Sequence, residues 1–231
     1  MSFVIASPAT VAVPVHGCDG QFPVHRIYCV GRNYAEHAKE MGGTGREAPF
    51  FFMKPADAVL LAGPDGTAHM PYPPLTSDLH HELELVVAIG VGGSHIPAAR
   101  ALQHIYGYAV GLDMTRRDLQ NEMKKQGRPW SIGKGFDHSA PLGPITPAAQ
   151  VAGIESAEIA LDVNGQTRQK STTDQLIWRI AETIEQLSAA WALQPGDLIF
   201  TGTPEGVGAV VAGDVLEGRI SGLQPLRVRI V

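Results

Sequence analysis

The stretch HELELVVAI, residues 81–89, decides the fold. Six of its nine residues are apolar and three of these are β-branched, with no Gly or Pro, which predicts a strand. Successive side chains of a strand point to opposite faces, so Leu83 and Leu85 share one face with Val87, while Val86 and Ala88 share the other. Because both faces carry apolar residues, we predict that the rest of the protein covers this strand on both sides.

Further strands are expected before and after this stretch. One segment, 159–163, is followed by Asn164-Gly165, the dipeptide most typical of a two-residue hairpin turn. The other predicted strands cover residues 24–30, 49–55, 105–112, 198–201 and 226–231.

Helices are fewer. Apolar residues recur at i, i+3 and i+4 over residues 174–191, where Thr172 and Gln175 suggest a capping box. Shorter helices are predicted over 33–41 and 115–125. Since strands dominate and do not alternate regularly with helices, the predicted class is α+β with a mixed, mostly antiparallel sheet.

Composition limits the function classes. The chain has 231 residues and a formal net charge of −5, and its longest basic cluster is Lys124-Lys125 with Arg128, which argues against a nucleic-acid partner. No stretch approaches the roughly 18 uncharged apolar residues of a membrane-spanning helix. We therefore expect no membrane partner. Cys18 and Cys29 form no CxxC pair, so we expect the protein in the reducing cytoplasm.

Three carboxylates are predicted to meet at strand ends. Glu82 and Glu84 are two residues apart, and Asp113 follows the predicted strand 105–112. Oxygen ligands of this kind suit Mg²⁺ or Mn²⁺ better than Zn²⁺. The spacing alone also allows an exposed strand face whose carboxylates pair with Lys or Arg.

Other candidate residues have two readings each. Glu40 follows His37 by three residues on a predicted helix, so it could orient a general base or form a surface ion pair. Lys134, in a Gly-containing loop, could hold a substrate oxygen or remain solvated. The stretch TGTPEGVG, residues 201–208, lacks the Lys-Ser/Thr of a nucleotide-binding loop, which favours a tight turn that brings Thr203 to a ligand.

Seven motifs in a fixed order carry a family resemblance. They are GRNYAEHAKE, FFMKP, HHELELVVAIG, GYAVGLDMTRRDLQ, PWSIGKGFD, VNGQTRQ and GDLIFTGTPEGVG. Together they resemble the fumarylacetoacetate hydrolase superfamily from about residue 25 to residue 215. The chain is most similar to the short acylpyruvate hydrolase branch, which includes bacterial fumarylpyruvate hydrolases.

The resemblance implies the mixed β roll of that family's C-terminal domain, with few helices and usually as a homodimer. Residues 25–231 would form a single catalytic domain, and residues 1–24 an N-terminal arm or edge strand. The chain is too short for the additional N-terminal domain of fumarylacetoacetase, and it lacks the internal duplication of two-lobed members.

The resemblance also implies roles for individual residues. Mg²⁺ or Mn²⁺ would bind Glu82, Glu84 and Asp113, and His37 with Glu40, on a lid, would activate water. Lys134 matches the active-site lysine. The residues that match or could supply substrate contacts are Arg32, Arg117, Gln120 and Thr203. Arg32, Arg116 and Arg128 are all candidates for binding a carboxylate at the far end of a substrate.

The implied reaction is metal-dependent hydrolysis of a C–C bond in a 2,4-diketo acid. The expected substrate is an acylpyruvate, with fumarylpyruvate favoured, and the products would be pyruvate and a carboxylic acid such as fumarate, within aromatic catabolism. Hydratases of the superfamily generally lack the GRNYxxH stretch, so its presence favours hydrolysis. Decarboxylation or keto–enol tautomerisation of oxaloacetate at the same site is the alternative.

Overall fold

Strands make up most of the regular structure. The computed structural model describes residues 3–35 and 46–231. The first nine strands are β1 (Ala12–Pro14), β2 (Gln21–Pro23), β3 (Ile27–Gly31), β4 (Phe50–Lys54), β5 (Val59–Leu60), β6 (Ala68–Met70), β7 (Leu79–His81), β8 (Leu83–Ile89) and β9 (Ile105–Leu112). The others are β10 (Thr115–Arg116), β11 (Ala140–Pro141), β12 (Thr146–Pro147), β13 (Glu158–Val163), β14 (Gln166–Thr172), β15 (Leu198–Phe200), β16 (Gly208–Val210), β17 (Val215–Ile220) and β18 (Leu226–Ile230).

Helices are short, apart from two. Those in the described parts of the chain are α1 (Ala98–Ala101), α2 (Arg117–Lys125), α3 (Ser131–Lys134) and α4 (Ile180–Ala190). Single 3₁₀ turns cover Ala56–Ala58, Leu102–His104, Ala148–Gln150, Ile154–Ser156 and Thr173–Gln175. None of these helices is long and apolar enough to cross a membrane.

Two large sheets pack against each other. The six-stranded sheet has the order β12-β9-β8-β15-β3-β4, and the five-stranded sheet has the order β14-β13-β17-β18-β6. Among the strand pairs described, only β3–β15, β5–β11 and β6–β18 are parallel. The predicted class, α+β with mostly antiparallel strands, is therefore confirmed.

Strand β8 lies inside the six-stranded sheet, and all of its residues are buried. Leu83, Leu85 and Val87 join the core between the two large sheets. Val86 and Ala88 join a second apolar cluster on the opposite face, to which the N-terminal β1–β2 hairpin also contributes. The prediction that both faces are covered is confirmed.

One predicted strand is in fact two. The chain changes sheets at Glu82, because β7 belongs to a three-stranded sheet with β10 and β16 while β8 belongs to the six-stranded sheet. At the break, the backbone amide of Leu83 donates to the side-chain oxygen of Gln169 at 3.0 Å. The carbonyl of Glu82 accepts from the amide of Asp113 at 2.8 Å. Both backbone groups are therefore bonded although the strand is interrupted.

The hairpin prediction at Asn164-Gly165 is confirmed. These residues connect β13 to β14 with φ values of 52° and 75°, the left-handed conformation that this two-residue turn requires. Asparagine and glycine adopt that conformation at a lower steric cost than other residues.

The prediction of a helix over 174–191 was wrong at its start, since α4 begins at Ile180. Asn33 holds the residues just before α4 in a non-helical conformation. Its side-chain oxygen accepts from the backbone amide of Trp178 at 2.7 Å, and its backbone carbonyl accepts from the amide of Ile177 at 2.8 Å. The helix is instead capped by Glu182, which accepts from the Arg179 amide at 3.0 Å.

Two other helix predictions have different outcomes. The helix predicted over 115–125 begins at Arg117, because Thr115 and Arg116 pair with β7. The helix predicted over 33–41 falls largely outside the described residues.

Candidate active site

The three carboxylates meet at one end of the β8–β9 pair. Leu83 pairs with Leu112 in this ladder, so Glu82 and Asp113 stand opposite each other just beyond it. One oxygen atom from each of Glu82, Glu84 and Asp113 lies within 4.8 Å of the others, and all three residues are buried.

This donor set fits a hard divalent cation. Two oxygens on opposite sides of Mg²⁺ are about 4.2 Å apart, because each Mg–O distance is about 2.1 Å. Asp113 Oδ1 is buried without a hydrogen bond, although Lys54 Nζ lies 2.8 Å away. Burial, followed by the charges of Asp113 and Glu82, raises the pKa of Glu84 well above its ordinary value. A bound Mg²⁺ or Mn²⁺ would stabilise these carboxylates in their charged form.

Lys134 is the last residue of α3 and is buried beside the carboxylates. Its ammonium donates to Glu82 Oε2 at 2.9 Å and to Asp113 Oδ2 at 2.6 Å. Burial alone would lower the pKa of Lys134, but the charges of Asp113 and Glu82 outweigh it and raise the pKa. The lysine is therefore a charged donor inside the pocket, not the solvated loop residue of the alternative reading.

The first turn of α2 supplies two further buried polar residues. The Arg117 guanidinium donates to Glu82 Oε1, and it also donates to Gln120 Oε1 at 2.6 Å. Residues three apart on a helix share a face, which is why both side chains line the same pocket.

The TGTP loop closes the opposite side. The Gly202 amide donates to Glu84 Oε2 at 2.7 Å, with Gly202 at φ +102°. A Cβ at Gly202 would lie 2.7 Å from the Cβ of Asn33, so only glycine fits this approach. The predicted tight turn therefore aims its backbone amide at a carboxylate, while Thr203 lines the pocket.

One pocket brings these groups together. One wall is formed by the rings of Phe50, Phe52 and Trp130. The site residues predicted from the sequence that line it are Arg32, Glu82, Glu84, Asp113, Arg117, Gln120, Lys134 and Thr203. His37 and Glu40, the two other predicted catalytic residues, lie outside the described residues.

The comparison with protein families shows which family the chain belongs to. The profile described as fumarylacetoacetate (FAA) hydrolase C-terminal matches residues 26–231. The chain belongs to this family. A fumarylpyruvate hydrolase from a Ralstonia species is 48% identical over 184 residues, which is 80% of this chain and 93% of that protein. A mitochondrial oxaloacetate tautomerase of Arabidopsis thaliana is 42% identical over 202 residues, 87% of this chain and 89% of that one.

One solved structure has a higher sequence identity to this chain than these two relatives. The crystal structure of fumarylpyruvate hydrolase from Pseudomonas aeruginosa in complex with Mn²⁺ and pyruvate superposes with a TM-score of 0.97. It is 56% identical and covers 100% of this chain and 99% of that one. Mn²⁺ in that complex agrees with the hard-cation donor set of Glu82, Glu84 and Asp113.

Two buried residues at the site, Lys54 and Gln169, were not predicted from the sequence. Lys54 on β4 is buried: its ammonium lies 2.8 Å from Asp113 Oδ1 and donates to the carbonyls of Met114, at 3.2 Å, and Lys134. The signal was a lysine that follows four apolar residues of a strand, in FFFMK. Such a position requires a buried partner for the charge.

Gln169 is the second missed residue. It is fully buried, and its amide nitrogen donates to Thr203 Oγ1 and to the Pro204 carbonyl, both at 2.8 Å. Its oxygen accepts from Leu83 and from His81 Nδ1 at 3.1 Å. Burial lowers the pKa of His81 to about 4, so this imidazole is neutral and serves as a structural donor. No sequence spacing linked Gln169 to residues about 35 and 85 positions away.

Proposed function

We propose that this protein hydrolyses an acylpyruvate, with fumarylpyruvate as the substrate and pyruvate and fumarate as the products. Water adds to the 4-carbonyl of the 2,4-diketo acid, and the bond between C3 and C4 breaks. C3 takes up a proton to become the methyl group of pyruvate, and the acyl carbon leaves as a carboxylate.

One observation carries the proposal: a buried three-carboxylate site shares one small pocket with Lys134, Arg117 and Gln120. Anionic diketo acids need both a cation and donors that can receive negative charge. The 48% identity to a fumarylpyruvate hydrolase and the 56% identity to a structure that contains Mn²⁺ and pyruvate support the same reaction.

We assign the divalent ion to Glu82, Glu84 and Asp113. When bound there, Mg²⁺ or Mn²⁺ would supply Lewis acidity towards a ketone oxygen and would stabilise the negative charge that develops on the leaving group.

The surrounding donors then receive the remaining charge. The Lys134 ammonium and the Gln120 amide face the pocket, where they can donate to a substrate oxygen as negative charge develops on it. A single preorganised donor of this kind is typically worth about 3–4 kcal/mol in the transition state. Arg117, held by Glu82 and Gln120, orients the pyruvate end of the substrate, and Thr203 contacts it from the TGTP loop.

His37 is proposed as the base that takes a proton from the attacking water, with Glu40 orienting its imidazole. The support is the GRNYAEHAKE motif, because both residues lie outside the described part of the chain. Substituting His37 by Ala should lower kcat by several orders of magnitude while Mn²⁺ affinity stays nearly unchanged. A parallel loss of Mn²⁺ binding would contradict the assignment.

Interconversion or decarboxylation of oxaloacetate is the second candidate. The relative named oxaloacetate tautomerase, at 42% identity, favours it, and the same three-carboxylate site would serve enolate chemistry. The proposed hydrolysis differs in needing an added water and in releasing two acids.

Steady-state kinetics on the purified, Mn²⁺-loaded protein separate these activities. Fumarylpyruvate and acetylpyruvate should lose their diketo absorbance and yield one equivalent of pyruvate each, and chelation by EDTA should abolish the reaction. Rapid turnover of oxaloacetate without pyruvate release from either acylpyruvate would instead establish the second candidate.

The cellular setting is also proposed. We place the protein in the cytoplasm, as a homodimer built from a single catalytic domain over residues 25–231, in a route that degrades aromatic compounds. The family resemblance supports the homodimer, and the free thiols of Cys18 and Cys29 fit a reducing compartment. Light scattering coupled to size-exclusion chromatography would show a mass near twice 24.6 kDa.

A further inference from the structure

Arg32 holds an unusual backbone conformation at the edge of the pocket. It follows β3 directly and has φ +54°, a left-handed conformation that costs a non-glycine residue about 1–2 kcal/mol. Asn33 fixes this turn, since its amide donates to the carbonyls of Thr201 at 2.8 Å and Trp178 at 3.0 Å. A strained residue fixed this firmly beside a pocket suggests a functional reason for its placement.

The Arg32 side chain lies along the aromatic wall of the pocket. Its guanidinium carbon is 5.9 Å from the centre of the Phe50 ring. Its Nε is buried and has no hydrogen-bond partner within residues 3–35 and 46–231. A buried donor without a partner is costly, so a ligand that accepts from it would gain binding free energy.

The other cations that the structure describes around the carboxylates are already paired. Lys54 meets Asp113, Lys134 meets Glu82 and Asp113, and Arg117 meets Glu82. Arg32 makes no ion pair with a carboxylate in the described parts of the chain, although it lines the same pocket. It therefore has a charge to offer a ligand.

The charge balance of the pocket favours a dianion. Among the residues that the structure describes, these three carboxylates are matched by the three cations Lys54, Lys134 and Arg117. A divalent ion and Arg32 then add positive charge, which a substrate with two carboxylates neutralises better than a substrate with one.

We propose that Arg32 binds the distal carboxylate of the acyl group and selects acylpyruvates that carry one, which rests on the function proposed above. The other two arginines considered from the sequence are less suited. Arg116 also has a buried Nε without a partner in the described parts of the chain, but its guanidinium stacks 4.3 Å from the centre of the Phe136 ring and donates to the Ile132 carbonyl, and it is not among the residues that line the pocket. Arg128 lines an adjoining outer groove with Phe52 and Trp130, but not the pocket itself.

Kinetics on two substrates test this proposal. The Mn²⁺-loaded Arg32→Met variant is compared with the wild type on fumarylpyruvate, which has a distal carboxylate, and on acetylpyruvate, which has none. We expect kcat/KM for fumarylpyruvate to fall roughly 10- to 100-fold, as for loss of a charged hydrogen bond, and kcat/KM for acetylpyruvate to change less than about threefold. Equal losses on both substrates, or no loss on either, would overturn the proposal.

Two further variants keep the test decisive. Asparagine tolerates the left-handed conformation, so Arg32→Asn should fold even if Arg32→Met does not, and it should show the same substrate-dependent loss. Arg128→Met is the rival: a selective loss on fumarylpyruvate there, with Arg32→Asn unaffected, would move the distal site to the outer groove and refute our assignment.

Failure of the proposed function gives a different result. If the wild type hydrolyses neither acylpyruvate, calorimetric titration of the Mn²⁺-loaded protein with oxaloacetate and with pyruvate replaces the kinetics. Tighter binding of oxaloacetate that is lost in Arg32→Asn would still support a carboxylate site at Arg32, whereas equal binding by both proteins would refute it.

Discussion

Carboxylates meet cations in two regions of this molecule, and the two regions differ in burial. In the pocket, Glu82 and Asp113 surround Lys134, and all three side chains are at most 8% exposed. On the five-stranded sheet, Asp162 meets Arg219 with the arginine side chain 51% exposed. The pairs Glu158–Lys170 and Glu217–Arg227 of the same sheet are more exposed still.

The difference in burial shows that the pocket carboxylates serve function and not stability. Exposed ion pairs contribute about 0–1 kcal/mol to stability, since water screens them. A buried network costs several kcal/mol per ion in lost hydration, which the mutual attraction only partly offsets. Three buried carboxylates therefore contribute little to stability, and their burial together fits a bound divalent ion.

The largest expected effect comes from Glu84, the carboxylate that sits on β8 itself. Glu84→Gln keeps the shape of the side chain and can still accept from the Gly202 amide. We expect metal-dependent kcat/KM to fall at least about 10³-fold, equivalent to about 4 kcal/mol, because a ligand charge is lost. Initial rates across a Mn²⁺ series measure this effect.

Thermal unfolding of Glu84→Gln sharpens the comparison. Without metal, its Tm should equal or exceed that of the wild type, because an amide is easier to bury than a carboxylate. Added Mn²⁺ should raise Tm of the wild type only. The exposed counterpart Glu158→Gln should change neither activity nor the response to Mn²⁺. Wild-type behaviour of Glu84→Gln in both assays would show that the pocket is not a metal site.

Lys54 provides the next largest effect, this time on stability. Lys54→Met removes a fully buried ammonium and leaves Asp113 and two carbonyls without that partner, so we expect a loss of about 3–5 kcal/mol in the free energy of unfolding. Lys170→Met, on the exposed pair with Glu158, should change it by less than about 0.5 kcal/mol. Urea denaturation of both variants measures the contrast, and similar losses would remove the distinction between the two regions.

The sequence predicted the fold wherever local signals agreed with the tertiary structure. The alternation of residues 83–89, the Asn164-Gly165 turn and the strand that ends before Asp113 were all readable, because each depends on neighbours in the chain. The break at Glu82 was not readable, since it depends on Gln169. The late start of α4 depends in the same way on Asn33.

The residues of the candidate site also divide into those that local sequence signals predict and those that depend on distant contacts. Glu82, Glu84 and Asp113 could be inferred from strand ends, and the motifs suggested the remaining pocket residues. Lys54 and Gln169 gave weaker signals, because a lone lysine or glutamine acquires its role only when distant segments pack around it. Long-range hydrogen bonds of buried polar residues are therefore the part of this site that sequence reasoning reaches last.

Gln169 is a polar but uncharged counterpart of the buried network, and its loss should have an intermediate effect. Gln169→Ala removes four hydrogen bonds that join β14 to the end of β7, to the start of β8 and to the TGTP loop, so we expect a loss of about 2 kcal/mol in stability. KM should rise as well, because Thr203 loses its partner. Gln166→Ala, exposed on the same strand, is the matched control, and equal behaviour of the two variants in kinetics and urea denaturation would contradict this role.

The smallest expected effect is at Asp162, the partly exposed counterpart of the pocket carboxylates. The hydrogen bonds from Arg219 and Thr167 lower the pKa of Asp162, so its carboxylate stabilises the folded state above the pKa of the unfolded chain and this contribution is lost as pH falls through the folded-state pKa. Asp162→Asn should therefore lower the free energy of unfolding by less than about 1 kcal/mol at pH 7, and the difference from the wild type should narrow below about pH 4. Urea denaturation at pH 7 and at pH 3, each at low and high salt, measures both trends. Because exposed charges are screened, 1 M salt should also shrink the difference. A difference that grows towards acid pH would mean that Asp162 is stabilised by something other than its charge.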